Sequence, residues 1–318
     1  MFHYFLLTIS LLANALGANG VAQKVEAPLL PKTPTISQTV SSNPVTQLPS
    51  LAPIPKLQPN TVFDVRAESA LIYDVKTGTV LYEKSGHQIR PMVSTVKIIS
   101  GLLIVEKGGL DQTVTVSKNA AAQGGSRMNL VSGDELSRKN LLLGMFLNSG
   151  NDAAVALAEA TYGTTENFVA AMNQKASSLG LRESHFADAA GYNEDQTTSS
   201  CYDISKALSV ASKNQALQDI MTTKDFDATD VSGKRVFKLS NSNRLVQDGF
   251  MHLIGGKTGT GTFGKGGHVL VSEVQGVDAS GHTQTLVGCV AGTYVNSHTA
   301  SSDELKKLFS SVFSHLES

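Results

Sequence analysis

The apolar and polar positions fall into three regimes along the chain. From Phe2 to Leu16 the residues are almost continuously apolar. From Gln23 to Asn60 no period survives, and prolines recur instead. From residue 61 onward the pattern is regular. Ser69–Asp74 and Thr79–Glu83 read as strands joined by a turn over Val75–Gly78. A strongly apolar run, Ile98–Val105, reads as a buried helix, and Ser94 and Lys97 at its front lie one turn apart on one face. Pro91 keeps the preceding chain extended and favours a helix start here. Leu136–Phe146 has helical spacing and ends at Asn148-Ser149-Gly150-Asn151. A further helix begins at Asp152, whose carboxylate suits a positive helix end. Thr165–Gly180 and Asp203–Ser212 are also helical, residues 184–200 are loop-like, and 214–250 show no clear period. From His252 the pattern turns to strands: Leu253–Thr260, Val269–Val274 and Thr285–Ala291. The turn at Asp278–Gly281 makes the last two antiparallel neighbours. Finally, Leu305, Leu308, Phe309, Val312, Phe313 and Leu316 share one helical face over Ser302–Leu316. Its polar side is not notably basic, which favours a sheet-covering helix over a membrane-surface one.

These elements define an α/β (α+β) fold: an antiparallel β-sheet flanked by helices, with an inserted helical region. They occupy residues 61–318, read as one large domain. Residues 1–22 read as a signal peptide, with Gly20 and Ala22 at the small-x-small spacing of a cleavage site. No Lys or Arg precedes Lys24, so an uncleaved N-terminal anchor is the competing reading. Residues 23–60 hold eight of the nine prolines and read as a disordered stalk that cannot pair into a sheet. The protein is therefore expected to be exported, periplasmic or envelope-associated, with membrane contact at most through its N-terminus.

Composition removes other classes. The 26 basic and 27 acidic residues give a net charge of -1, and there is no Trp. A nucleic-acid partner would need a basic surplus and stacking platforms. Cys201 and Cys289 lie 88 positions apart, which does not predict a bond; two buried free thiols fit equally well. No Cys/His cluster has metal spacing, and no cofactor is implied.

Three short motifs carry the chemistry: Ser94-x-x-Lys97, Ser149-x-Asn151 and Lys257-Thr258-Gly259. A serine hydroxyl is a poor nucleophile without a base, and a lysine one turn away can supply one as its free amine. An ordinary lysine titrates near 10.4, so burial or a second cation such as Lys257 must lower it. Singly, each motif is cheap. Ser-x-Asn also occurs at Ser41–Asn43, and Lys-Thr-Gly at Lys76–Gly78, where a hairpin turn is expected and no catalytic role is assigned. In order, and with the flanks Gly125–Leu130, Leu147–Ala153 and Asn241–Leu245, the set resembles the serine-type D-Ala-D-Ala carboxypeptidases, the low-molecular-mass penicillin-binding proteins of the β-lactamase/transpeptidase-like superfamily.

The resemblance implies a hydrolase that acts on peptidoglycan stem peptides through an acyl-serine intermediate and is acylated by β-lactam antibiotics. It implies Ser94 as nucleophile, Lys97 as base and Ser149 as proton relay. Asn151, Lys257, Thr258, Gly259 and Thr260 would bind substrate, with Lys257 and Thr258 on its terminal carboxylate. Gly259 would let the peptide lie along the strand, and the N–H groups of Ser94 and Thr260 would form the oxyanion hole. DD-endopeptidase action on crosslinks is the alternative at the same site, and a non-catalytic penicillin-binding sensor the alternative of another class.

Nucleotide readings fail. Gly259-x-Gly261-x-x-Gly264 opens no helix, and Gly256-Lys257-Thr258 has Met251 where a phosphate loop needs glycine. No Glu-x-x-Leu-Asn follows Ser149-x-Asn151, so a β-lactamase is not expected and deacylation of penicillin should be slow. The loop Thr260–Gly267 is somewhat longer than the family pattern. About 60 residues follow Lys257, which suggests a catalytic domain alone, as in endopeptidase-type members.

Overall fold

Five antiparallel strands form the central sheet of the computed structural model, which describes residues 56–57, 63–262, 267–293 and 299–317. The strands are β1 (Ser69–Asp74), β2 (Val80–Lys84), β3 (His252–Thr260), β4 (His268–Val277) and β5 (Thr283–Thr293). Their spatial order is β3-β4-β5-β1-β2. β1 is buried along its whole length, because the sheet is covered on both faces. The period-2 alternation sorts its residues: Leu71 and Tyr73 join one apolar cluster, Ala70 and Ile72 the other.

On the second face lies α7 (Ala300–His315), which packs Leu305, Leu308, Phe309, Val312 and Phe313 against Ile72, Leu270 and Val290. The first face carries the helical region. It comprises α1 (Lys97–Lys107), α2 (Arg138–Leu147), α3 (Asn151–Tyr162), α4 (Thr165–Ser178), α5 (Cys201–Ala211) and α6 (Gln215–Thr222). α1 is the centre of that region, with Ile98, Ile99 and Ile104 fully buried. Gly101 lets it approach α2, since a Cβ there would stand 2.7 Å from Phe146. Side chains cap α2, α4, α5 and α6 at Ser137, Thr164, Ser200 and Asn214, each accepting a backbone N–H of its helix.

The structure departs from the sequence reading in four places and answers one question that reading left open. Ser94 sits in a 3₁₀ turn, Val93–Val96, and α1 proper begins at Lys97. The segment read as helix from Leu136 starts as a short strand, Glu135–Ser137, paired with Thr113–Thr115. Thr198–Ser199, in the stretch read as loop, pairs with Arg90–Pro91. Cys201 and Cys289 are bonded, tying the start of α5 to β5. Within the stretch read as unpairable, Lys56 and Leu57 pair with Glu317 and Leu316. Two residues between prolines suffice for an edge ladder, where the missing proline N–H costs nothing. The rest of that stretch, the N-terminal apolar run and Phe263–Gly266 lie outside the described residues. Among the described residues no helix is long and apolar enough to cross a membrane.

Residues 214–250 hold α6, a hairpin of Asp225–Thr229 with Val236–Ser240, and a four-residue helix, Arg244–Gln247. Lys76-Thr77-Gly78 forms the tight β1–β2 turn, fixed by Thr77 donating from N and Oγ1 to Asp74 at 2.7 and 2.6 Å.

Candidate active site

Val93, the residue before Ser94, has φ +44°. A β-branched residue rarely adopts that backbone, so its surroundings must impose it. Gly191 is one constraint, since a Cβ there would lie 2.0 Å from the Val93 carbonyl oxygen. Gly259 is another, with an added Cβ 2.4 Å from Val93 Cγ2 and 3.3 Å from the Ser94 nitrogen. The missing side chain at 259 therefore lets β3 close onto the Val93–Ser94 turn, a packing reason beside the substrate role expected from sequence. The end of β3 consequently runs along the Ser94 N–H.

Lys97 is fully buried. Its Nζ lies 2.8 Å from Ser94 Oγ, 2.7 Å from Asn151 Oδ1 and 2.8 Å from the Ala190 carbonyl. The Asn151 amide is oriented by its other end, where Nδ2 donates to the Gly124 carbonyl at 2.8 Å. Burial and the neighbouring Lys257 hold Lys97 well below the usual lysine range, against the opposing pull of Asp188 and Asp152. A neutral amine fits these partners completely: two N–H groups for two carbonyls, and one lone pair to accept the Ser94 hydroxyl.

A second lysine–serine pair stands in the same region. Lys257, also buried, places Nζ 3.0 Å from Ser149 Oγ and 2.9 Å from the Thr258 carbonyl. Burial brings its pKa down to about 7. Ser149 occupies the junction of α2 and α3 at φ +56°, which turns its side chain out of both helices. Thr258 Oγ1 shares a 2.5 Å hydrogen bond with Ser242 Oγ, from the Asn241–Leu245 stretch singled out in the sequence.

Thus Ser94, Lys97 and Asn151 converge directly, and Lys257, Ser149 and Thr258 form the adjoining group. A cleft of about 800 Å³ opens on Ser94 and is lined by Asn151, Ser126, Tyr192, Glu194 and Thr260. Lys76-Thr77-Gly78, the repeated motif, takes no part in it.

Two supporting carboxylates were not legible as such. Asp152 is fully buried and accepts the N–H groups of Met128 and Leu130 at 2.8 and 3.0 Å, holding the Gly125–Leu130 loop beside Asn151. The sequence reading saw only its helix-end position. Asp188 accepts from the N–H groups of Ala190, Tyr192 and Asn193 and from Thr197 Oγ1. Burial pushes its carboxyl up, but these donors outweigh it and keep the acid below its ordinary value. Asp188 thereby fixes the turn whose Ala190 carbonyl meets Lys97. An Asp two residues before such a contact and three before Gly191 was the available signal.

A family model described as D-alanyl-D-alanine carboxypeptidase matches residues 56–279. D-alanyl-D-alanine carboxypeptidase DacF of Bacillus subtilis is 36% identical over 186 residues, which are 57% of this chain and 48% of that protein. A D-alanyl-D-alanine endopeptidase of Escherichia coli is 30% identical over 213 residues, covering 65% of this chain and 67% of that one. The chain thus spans about half the length of the Bacillus relative. Among solved structures, the Streptomyces K15 DD-transpeptidase superposes with a TM-score of 0.71 at 28% identity, covering 79% of this chain and 98% of that one. With this fold, this arrangement of serines and lysines and a family match across most of its length, the chain belongs to the D-alanyl-D-alanine carboxypeptidase family.

Proposed function

We propose that this protein is an exported serine peptidase that removes the terminal D-Ala from stem peptides ending in D-Ala-D-Ala. The observation that carries the reading is the Lys97 amine, buried and 2.8 Å from the Ser94 hydroxyl. In the reaction, Lys97 Nζ takes the Ser94 proton as Oγ bonds to the carbonyl carbon of the penultimate D-Ala. The N–H groups of Ser94 and Thr260 receive the oxyanion. Collapse breaks the C–N bond. The proton that Lys97 took passes to the departing amine through Ser149, whose hydroxyl accepts one proton as it donates another, and Lys97 is neutral again. Free D-Ala leaves an ester on Ser94, and water then hydrolyses it with Lys97 again as base. Protonated Lys257, with Thr258, holds the substrate's terminal carboxylate and is itself favoured in the charged form by that contact. A β-lactam ring opens by the same attack, leaving penicilloyl on Ser94.

The endopeptidase-named relatives of E. coli and Pseudomonas aeruginosa, 30% and 27% identical, support a second reading on crosslinks. Purified crosslinked and uncrosslinked muropeptides separate the two. Free D-Ala from uncrosslinked chains supports the carboxypeptidase, and monomers from dimers without free D-Ala support the endopeptidase. A protein that labels with penicillin but cleaves neither is a sensor.

A further inference from the structure

Two segments border Ser94, and one side chain joins them. The first is the 188–197 turn, which supplies the Ala190 carbonyl to Lys97 and lays Gly191 on the Val93 carbonyl. The second is the end of β3 and the residues after it. There Gly259 and Gly261 face Val93, an added Cβ standing 2.4 and 2.8 Å from its methyl groups. Val93, at its positive φ, is therefore boxed between two walls.

Glu194 spans those walls at the cleft rim. Its carboxylate accepts the Thr262 N–H on both oxygens, at 2.9 and 3.1 Å, and the Thr262 hydroxyl at 3.0 Å. Bonds to an ionised carboxylate are stronger and more directional than neutral ones. The contact is exposed, and neither residue belongs to the apolar core. Its removal should therefore spare the fold while letting the end of β3 drift from the nucleophile's turn. That end carries Thr260, and the opposite wall carries the Lys97 contact, so drift loosens both the oxyanion site and the base.

We propose that Glu194 is a positioning residue for acylation, acting through Thr262 to hold the end of β3 against the Val93–Ser94 turn. The inference rests on Ser94 as the acylated nucleophile. It requires no contact between Glu194 and substrate, which separates it from a residue that recognises a charged group.

The test compares the full-length wild type with Glu194→Ala, Glu194→Gln, Thr262→Val and the Glu194→Ala/Thr262→Val pair. The readouts are the second-order rate of acylation by a fluorescent penicillin, kcat and KM on a D-Ala-D-Ala peptide, and the melting temperature. Glu194→Ala should acylate about 10- to 100-fold more slowly, with the loss in kcat rather than KM, since small misplacements at a reacting centre have effects of that order. Its melting temperature should stay within about 2 °C of wild type, a shift expected from losing one exposed contact. Glu194→Gln still offers Thr262 an acceptor oxygen and should recover to within roughly 3-fold of wild type. Thr262→Val should fall between, and the pair should be no slower than Glu194→Ala alone. Acylation of Glu194→Ala within about 2-fold of wild type would overturn the proposal. So would a Glu194→Gln variant as slow as the alanine, because the charge would then act on substrate directly. A wild type that penicillin does not acylate at Ser94 overturns the nucleophile assignment and this inference together.

Discussion

At the scale of single residues, the site turns on two lysines kept short of full protonation for different ends. In the proposed reaction Lys97 must be neutral to accept the Ser94 proton, and burial with Lys257 nearby lowers it. In the same proposal Lys257 must be charged to hold the substrate carboxylate, and burial alone brings it to about 7. The signs therefore oppose. With Lys97 held well below the usual lysine range, loss of the free-enzyme Lys257 proton past about 7 should lower kcat/KM. In the substrate complex the bound carboxylate stabilises charged Lys257, so the alkaline limb of kcat should lie at higher pH than that of kcat/KM. Steady-state kinetics from pH 5 to 10 test this, and a kcat/KM that rises without an alkaline limb would contradict it. The residue types were legible in the sequence because serine, lysine and asparagine recur at short, local spacings. Asp188 was not, because its role is to gather four donors from a turn, and a carboxylate in a loop carries no period.

At the scale of elements, the site is a meeting of three things: the 3₁₀ turn before α1, the α2–α3 junction and the end of β3. Each is a place where regular structure stops. That is why the strands and long helices were readable from periodicity while the turn was read as ordinary helix. A 3₁₀ turn of four residues has no repeat to detect, and its cause, the approach of Gly191 and Gly259, is non-local. Residues 214–250 were opaque for the same reason, with elements of four to eight residues and little apolar face. The glycine contacts give a sharp prediction. Gly191→Ala adds a methyl at φ +73°, 2.0 Å from the Val93 carbonyl oxygen, where backbone cannot yield cheaply. It should cut penicillin acylation by at least about 100-fold and destabilise the protein by about 2–4 kcal/mol, measured by labelling and by denaturant unfolding. Unchanged labelling would show that the turn does not depend on this contact.

At the scale of the whole molecule, the sheet covered on both faces was legible, because α7 and β1 display their buried faces openly in the sequence. The Cys201–Cys289 bond was not, since 88 intervening residues give no hint that α5 and β5 meet. Between sheet and helices lies a feature that pattern reading missed: Glu273, 4% exposed on β4, whose Oε2 has no hydrogen-bond partner among the described residues. Burial raises its carboxyl from 4.5 to about 7, against Ser212 and Lys213. The folded state thus binds the proton more tightly than the unfolded chain, so this group's contribution to stability falls as pH rises from about 4.5 to 7. Glu273→Gln should therefore stabilise the protein by about 3 kcal/mol at pH 8 and hardly at all at pH 4, read from unfolding at both. Equal effects at the two pH values would place the carboxylate in a solvated or paired setting.

The central claim is that one serine performs the chemistry and that acylation there leads to turnover. Its most direct measurement is mass spectrometry of the protein mixed with a D-Ala-D-Ala peptide or with penicillin, alongside assay of free D-Ala. The wild type should carry the adduct on Ser94 and release D-Ala from the peptide. Ser94→Ala should do neither, and Lys76→Ala, in the repeated motif of the β1–β2 turn, should do both at near wild-type rate. An adduct on any residue other than Ser94, or D-Ala release that survives Ser94→Ala, would contradict the account.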